Sequence, residues 1–335
     1  MHPIARRDLL AALLAAPLAS FAQNTPPRLD RIVVAGWNKP ITEVTPLLVD
    51  EDKGFYRAQG IALEYVPGAG SADAIRNILA GQADVAFSDP LTFFAALDKG
   101  EKLRAIYDIY PQNVFNVVSL KGSNITRPAD LKGKKIGVYS LASGTRQGLQ
   151  VLLHSAGLSE SDVTVVVTGL LNFAPLMQGQ VDATAATDTG LLIGRRRGLP
   201  EVNVIEVGQV LPMSSDLFVV REDVYQAKRA ALQRFLRGYA DAAAWMMAKP
   251  EEAAQLAVKR AIDGTDPALN LEIIKLRNAS SVSALTRRNG LGALDVASLQ
   301  AAADTYRRLG LVQKPLDVGK VVSQDLLPGR RGEPG

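Results

Sequence analysis

The chain has 335 residues, 47% apolar and 21% charged, with a formal net charge of +4 and no cysteine. At roughly 100 to 200 residues per domain, that length supports two lobes with separate cores. The composition is globular, without low-complexity blocks. Missing cysteines exclude disulfides, thiolate metal sites, cysteine nucleophiles and a lipidated leader junction. Basic residues interspersed with acids give no electrostatic surface for nucleic acid.

The first 22 residues carry Arg6-Arg7, an apolar run from Leu9 to Leu18, and the small residues Ser20 and Ala22 around Phe21. This is the pattern of a secretory leader cleaved near Ala22, which places the mature chain in the periplasm. Arg6-Arg7-Asp8-Leu9-Leu10 also resembles a twin-arginine export signal, with Leu9 where such signals favour Phe, so both export routes stay open. The apolar run falls short of the ~20 residues a spanning helix needs, so no direct membrane insertion of the mature chain is expected.

From Ile32 the pattern alternates: strand Ile32–Ala35, helix Leu47–Gln59, strand Ile61–Val66, helix Ala72–Ala80, strand Val85–Ser88. A second unit repeats this grammar: strand Lys135–Val138, helix Thr145–Ala156, strand Val163–Thr168, helix Ala174–Gln178, strand Ala183–Ala186. Such alternation predicts α/β lobes with mainly parallel strands. The repeat extends to residues, since Gly81-Gln82-Ala83-Asp84-Val85-Ala86 corresponds to Gly179-Gln180-Val181-Asp182-Ala183-Thr184, each preceded at similar distance by Gly60 or Gly157. A glycine past a helix C-terminus serves a left-handed cap. The β-rich stretches Val114–Leu120 and Leu217–Val220 bracket the second unit and read as hinge crossings. The expected organisation is therefore a first lobe of residues 31–113 and 217–328, a second lobe of 119–213, and a flexible tail at 329–335. Ligand capture belongs in the cleft between lobes. In the predicted helix Arg229–Ala248, Leu232, Phe235, Leu236, Tyr239, Ala243 and Met246 form a core-facing stripe with Trp245 beside it. A second amphipathic helix over Leu294–Leu309 is expected to dock back on the first lobe. Arg195-Arg196-Arg197 reads as a solvated turn.

The chain is poor in catalytic groups. Its histidines are His2, in the leader, and His154, inside an apolar helix, so no histidine cluster for zinc exists and neither a metal nor a cofactor is expected. Asp89 and Asp188 each follow a predicted strand where the cleft opens, yet neither stands in a catalytic motif, and no GxGxxG or GxxxxGK[ST] sequence occurs. Binding is better supplied. Gly68-Ala69-Gly70-Ser71 and Ser140-Leu141-Ala142-Ser143-Gly144-Thr145 join strands to helices, offering helix-start N–H groups and hydroxyls to an anion, or else plain N-caps. Trp37-Asn38 and Ser88-Asp89 follow strand C-terminal ends, where open α/β sheets place ligands. An aromatic wall beside amides and carboxylates suits a flat polar molecule. Helix starts favour an anion and carboxylates an amine, and both readings stay open.

Pro46-Leu47, Gly54-Phe55-Tyr56, Gly60-Ile61-Ala62-Leu63-Glu64, Pro67-Gly68, Ser71 and the Gly81–Ala86 segment together resemble the ABC-importer receptors for alkanesulfonates, taurine, nitrate and thiamine-pyrimidine precursors. The likeness continues through Leu131-Lys132-Gly133-Lys134-Lys135-Ile136-Gly137-Val138 and Leu309-Gly310-Leu311-Val312 with Pro315-Leu316-Asp317-Val318. It implies a type II periplasmic binding protein fold, two α/β lobes joined by two hinge crossings, with a small-molecule ligand clamped between them. It also implies delivery to an ABC permease and its ATPase, without catalysis; a monomer is expected. By position, the family's ligand loops correspond to Trp37, Asn38, Gly70, Ser71, Ser88, Asp89, Tyr139, Ser143, Gly144, Thr145, Thr187 and Asp188. Fungal pyrimidine-synthesising enzymes of this fold use a Cys-rich motif and a histidine that this chain lacks. The alternatives are a periplasmic enzyme using Asp89 and Asp188, and a sensory receptor presenting its closed form to a membrane kinase.

Overall fold

The computed structural model describes residues 29–170 and 173–329. The leader over 1–22 and the tail from 330 onward lie outside the described residues.

Ten strands form two five-stranded sheets. In chain order they are β1 (Asp30–Ala35), β2 (Ile61–Val66), β3 (Val85–Ser88), β4 (Leu103–Tyr110), β5 (Phe115–Leu120), β6 (Lys135–Val138), β7 (Thr164–Val167), β8 (Ala183–Thr187), β9 (Val202–Glu206) and β10 (Asp216–Arg221). The first sheet runs β2-β1-β3-β10-β4 and the second β7-β6-β8-β5-β9. Each holds three parallel strands, then one antiparallel strand, then an edge strand antiparallel to that. The fold is that of a type II periplasmic binding protein, two α/β lobes joined by two crossings.

The residue repeat has a physical cause. Asp84 and Asp182 each bridge two parallel strands: the Asp84 carboxylate accepts from Val33 N at 3.0 Å, and the Asp182 carboxylate from Lys135 N at 2.7 Å. Their own N–H groups donate to the carbonyls of Val33 and Lys135. One short segment thus caps a helix and fixes strand register, which is why it recurs in both lobes. The glycines that open it, Gly81 and Gly179, stand at φ +71° and +67°, the left-handed cap expected.

Strands β3, β4 and β10, and β1 from Ile32 onward, are buried on both faces, as helix-covered sheets require, while the edge strand β2 is mostly half-buried. Ile32 and Val34 pack against Leu232, Phe235, Leu236 and Tyr239 of the long helix Arg229–Ala248, while Val33 and Ala35 face Ala74, Ile78, Phe93 and Phe94 on the other side. The helix Val296–Arg308 returns to this lobe, where Tyr306 meets Phe94 with ring centroids 6.1 Å apart. No helix of the described residues is long and apolar enough to cross a membrane.

Three details depart from the sequence reading. The helix expected over Leu47–Gln59 is broken into Thr45–Leu48, Asp50–Lys53 and a 3-10 turn at Arg57–Gln59. The Asp50 carboxylate accepts from Tyr56 N at 2.7 Å, a local bond that competes with helix continuation, and Gly54 turns left-handed so that the Tyr56 ring reaches the core. The stretches read as hinge crossings are themselves sheet strands: β5 lies between β8 and β9, and β10 between β3 and β4. The passages between sheets are residues 111–114 and 207–215. Arg195 and Arg196 end the helix Asp188–Arg196 instead of forming a turn, and Arg196 donates to Glu272 of the other lobe.

Candidate functional site

An antiparallel strand begins where its parallel neighbours end. Leu217 is therefore opposite Ser88, and Phe115 opposite Thr187. The start of β10 joins the ends of β1 and β3 on one rim, and the start of β5 joins the ends of β6 and β8 on the other. Between these rims lies a cleft holding about 680 Å³ of space, part of it open to solvent.

The second lobe supplies a neutral wall: Phe115, Tyr139, Ser143–Thr145, Thr168–Leu170, Phe173 and Thr184–Thr187. Ser143 N-caps the helix Gly144–Ser155. Its hydroxyl is occupied within its own loop, donating to Ser140 O at 2.7 Å, accepting from Arg146 N at 3.4 Å and touching Thr145 Oγ1 at 2.9 Å. Thr184 Oγ1 is buried without a partner. Thr187 caps the helix that follows β8.

The first lobe supplies a charged wall of Trp37, Glu43, Ser71, Asp216 and Arg277, with Gly70 at the lip. Arg277, 1% exposed on the helix Pro267–Ser280, sets its guanidinium 5.0 Å above the Tyr110 ring and ion-pairs with Asp188 of the second lobe. Its Nη1 stands 3.9 Å from Glu43, whose Oε1 accepts from Thr189 Oγ1 across the cleft at 2.6 Å. Burial raises the Glu43 pKa against the pull of Arg277. Burial also raises that of Asp188, which the Arg277 charge opposes. Asp216 is 6% exposed and, among the described residues, its carboxyl has no hydrogen-bond or ion-pair partner. Burial first, then the neighbouring Asp89, hold its pKa well above the carboxylate range. Trp37 packs edge-on against Phe87 at 6.3 Å and leaves Nε1 buried and unpartnered, as is Nε of Arg277.

The lobes meet at the lip. Ser140 Oγ donates to Ala69 O at 2.5 Å and Ala72 N to Ala142 O at 3.3 Å. Gly70 has φ +141°, and a Cβ there would lie 2.3 Å from Ala142 O. Behind the cleft, Gln147 reaches Thr92. The lobes therefore touch at the lip, across the cleft and behind it.

Of the residues expected at the site, Trp37, Gly70, Ser71, Tyr139, Ser143, Gly144, Thr145 and Thr187 line the cavity. Four do not. Asn38 is fully buried, its side chain accepting from Tyr65 OH. Ser88 is fully buried within the end of β3. Asp89 N-caps the helix Pro90–Asp98, accepting from Thr92 N and Thr92 Oγ1 at 2.8 Å each, in a side pocket behind Phe115. Asp188 is turned to Arg277. The sequence reading missed Glu43, Asp216 and Arg277. Asp216 was findable: it immediately precedes the β-rich stretch Leu217–Val220, and an antiparallel strand puts its first residue on the rim.

The sequence profile of the NMT1/THI5 like family matches residues 41–253. The chain belongs to that family. The riboflavin-binding protein RibY of Chloroflexus aurantiacus is 24% identical over 321 residues, covering 94% of this chain and 91% of RibY. The 4-amino-5-hydroxymethyl-2-methylpyrimidine phosphate synthase of Aspergillus parasiticus is 24% identical over 221 residues, 62% of this chain and 64% of that enzyme. The MOPS-bound alkanesulfonate-binding protein SsuA of Xanthomonas axonopodis superposes with a TM-score of 0.70 at 19% identity, over 88% of this chain and 98% of SsuA. The fold is thus that of periplasmic binding proteins. The identity to SsuA shows the fold alone.

Proposed function

We propose that this chain is the exported solute receptor of an ABC import system, closing two lobes on a small, flat, polar nitrogen heterocycle and presenting it to a permease and its ATPase. The carrying observation is the cavity itself. Its walls come from both lobes, and among the described residues Trp37 Nε1, Thr184 Oγ1 and Arg277 Nε are buried without partners. Buried polar groups are costly unless satisfied, so these three atoms favour a polar occupant. Trp37, Phe115, Tyr139 and Phe173 supply the aromatic surface that a planar ring needs.

The charge pattern separates heterocycles from sulfonates. Arg277 is the one cation among the lining residues, and Glu43 and Asp188 already engage it. An anionic headgroup would meet one further carboxyl, that of Asp216, and no unpaired cation among the described residues. The names of the relatives, a flavin binder and a pyrimidine synthase, agree with a nitrogen heterocycle. The enzyme alternative loses its catalytic pair, because Asp89 is a helix cap outside the cavity and Asp188 is committed to Arg277.

Native mass spectrometry of protein purified from its host should show a co-purifying heterocycle, and solution scattering should show a more compact particle with it than without. Superimposable scattering profiles of the empty and loaded protein would remove the closure mechanism.

A further inference from the structure

Asp216 is the one lining carboxyl without a partner among the described residues. Glu43 has Thr189 and Arg277, whereas Asp216 has neither hydroxyl nor cation, although it is more than nine-tenths buried and stands on the cleft rim at the start of β10. Its charged surroundings are mostly acidic. Glu43 faces it from the turn Thr42–Val44, Asp89 from the cap of Pro90–Asp98, and Asp108 from β4; Arg277 is the opposing charge. Tyr110 of β4 and Tyr239 of the long helix complete the titratable groups around it. The second lobe adds no charged side chain to the cavity wall among the described residues.

We propose that Asp216 receives a cationic nitrogen of the ligand, and thereby selects basic heterocycles over neutral and anionic ones. This rests on the receptor reading above and names the ligand's charge. A cation at this point meets Asp216 with Glu43 on the same low-dielectric wall, and its N–H groups form the charge-assisted bonds that a lone carboxylate accepts. Arg277, the cation on that wall among the described residues, is already engaged by Glu43 and Asp188, so an anion gains no unpaired counter-charge, and a neutral ring gains no charge-assisted bond.

The same geometry couples binding to a proton. In this structure burial and the acidic neighbours push the Asp216 pKa well above its ordinary value, which favours the protonated carboxyl until a cation arrives. A cationic ligand stabilises the ionised form, so the carboxyl gives up its proton to solvent as the cation enters: protein–COOH plus ligand–H⁺ becomes the carboxylate–ligand–H⁺ pair plus one free proton. Binding that releases one proton strengthens about tenfold per pH unit as pH rises. The slope persists while both the ligand and the free carboxyl remain protonated.

Calorimetric titration of the whole chain with 4-amino-5-hydroxymethyl-2-methylpyrimidine, riboflavin and MOPS tests this. The aminopyrimidine should bind at least ~10-fold tighter than the other two, since ~1.4 kcal/mol of counter-charge corresponds to that factor. Its affinity should climb with pH across the acid range where the ring is protonated. Asp216→Asn should lose at least ~10-fold in affinity and the pH slope, while Asp216→Glu should keep the slope. Absent aminopyrimidine binding, tighter binding of riboflavin or MOPS, a flat wild-type profile, or an Asp216→Asn protein that keeps the slope each overturn the proposal. Solution scattering on the same samples judges the receptor reading separately. Compaction with riboflavin or MOPS would retain the receptor and reject the role of Asp216. A pH-linked aminopyrimidine complex that never compacts would do the reverse.

Discussion

The two walls of the cleft are built by different means. The second lobe's wall is made largely of two short consecutive runs, Ser143 to Thr145 at a helix start and Thr184 to Thr187 at the end of β8, in which the hydroxyls of Ser143 and Thr187 cap their own helices. The first lobe's wall draws Glu43, Asp216 and Arg277 from three distant segments, and Glu43 and Arg277 also make contacts across the cleft. Local turn chemistry thus shapes one side, while the other is a charged cluster that exists only after folding. The charged side is the more costly to build, because buried charges must be paired or neutralised.

Arg277 should show that contrast most strongly. Arg277→Met removes the partner of the buried Glu43 and the half-buried Asp188, and an uncompensated buried charge destabilises by about 3 to 5 kcal/mol. Urea unfolding of ligand-free protein measures it. A loss near zero would mean that the cluster relaxes by protonation and that the charged wall is no more demanding than the neutral one.

The same division explains what the sequence disclosed. Strands β2, β3 and β6 begin and end where glycine caps and apolar runs put them, because those signals are local. The repeated Gly-Gln-x-Asp segments announced two lobes because one short segment both caps a helix and ties strand to strand. Asp89 and Asp188 were read as cleft carboxylates from their place after a strand. Position after a strand does not say whether a side chain turns inward to cap its own helix, as Asp89 does, or meets an arginine far along the chain, as Asp188 does. Arg277 sits inside an ordinary helical pattern and Glu43 inside a short turn, so neither carried a signal before the tertiary contacts formed.

Between the walls stands Gly70. Its φ of +141° is open to glycine alone, and a methyl group there would overlap Ala142 O of the opposite lobe. Gly70→Ala should therefore act on closure: ligand affinity falls at least ~10-fold, equivalent to ~1.4 kcal/mol, while the ligand-free melting temperature falls by less than in Arg277→Met. Titration with whichever heterocycle co-purifies reads the first quantity and a thermal melt the second. Unchanged affinity would show that the lip contacts Ser140–Ala69 and Ala72–Ala142 are dispensable for capture.

The smallest effect belongs to the neutral wall. The Ser143 hydroxyl is already engaged by Ser140, Thr145 and Arg146, so Ser143→Ala removes an N-cap worth about 1 kcal/mol and should lower stability by that amount. Ligand affinity should hardly move, because the hydroxyl has little capacity left for a guest. The decisive comparison is between the two readouts in this one variant. Lower melting temperature with retained affinity assigns Ser143 to the scaffold that shapes the second wall. Retained melting temperature with lost affinity would make that wall a direct reader of the ligand, and the asymmetry between the two sides of the cleft would disappear.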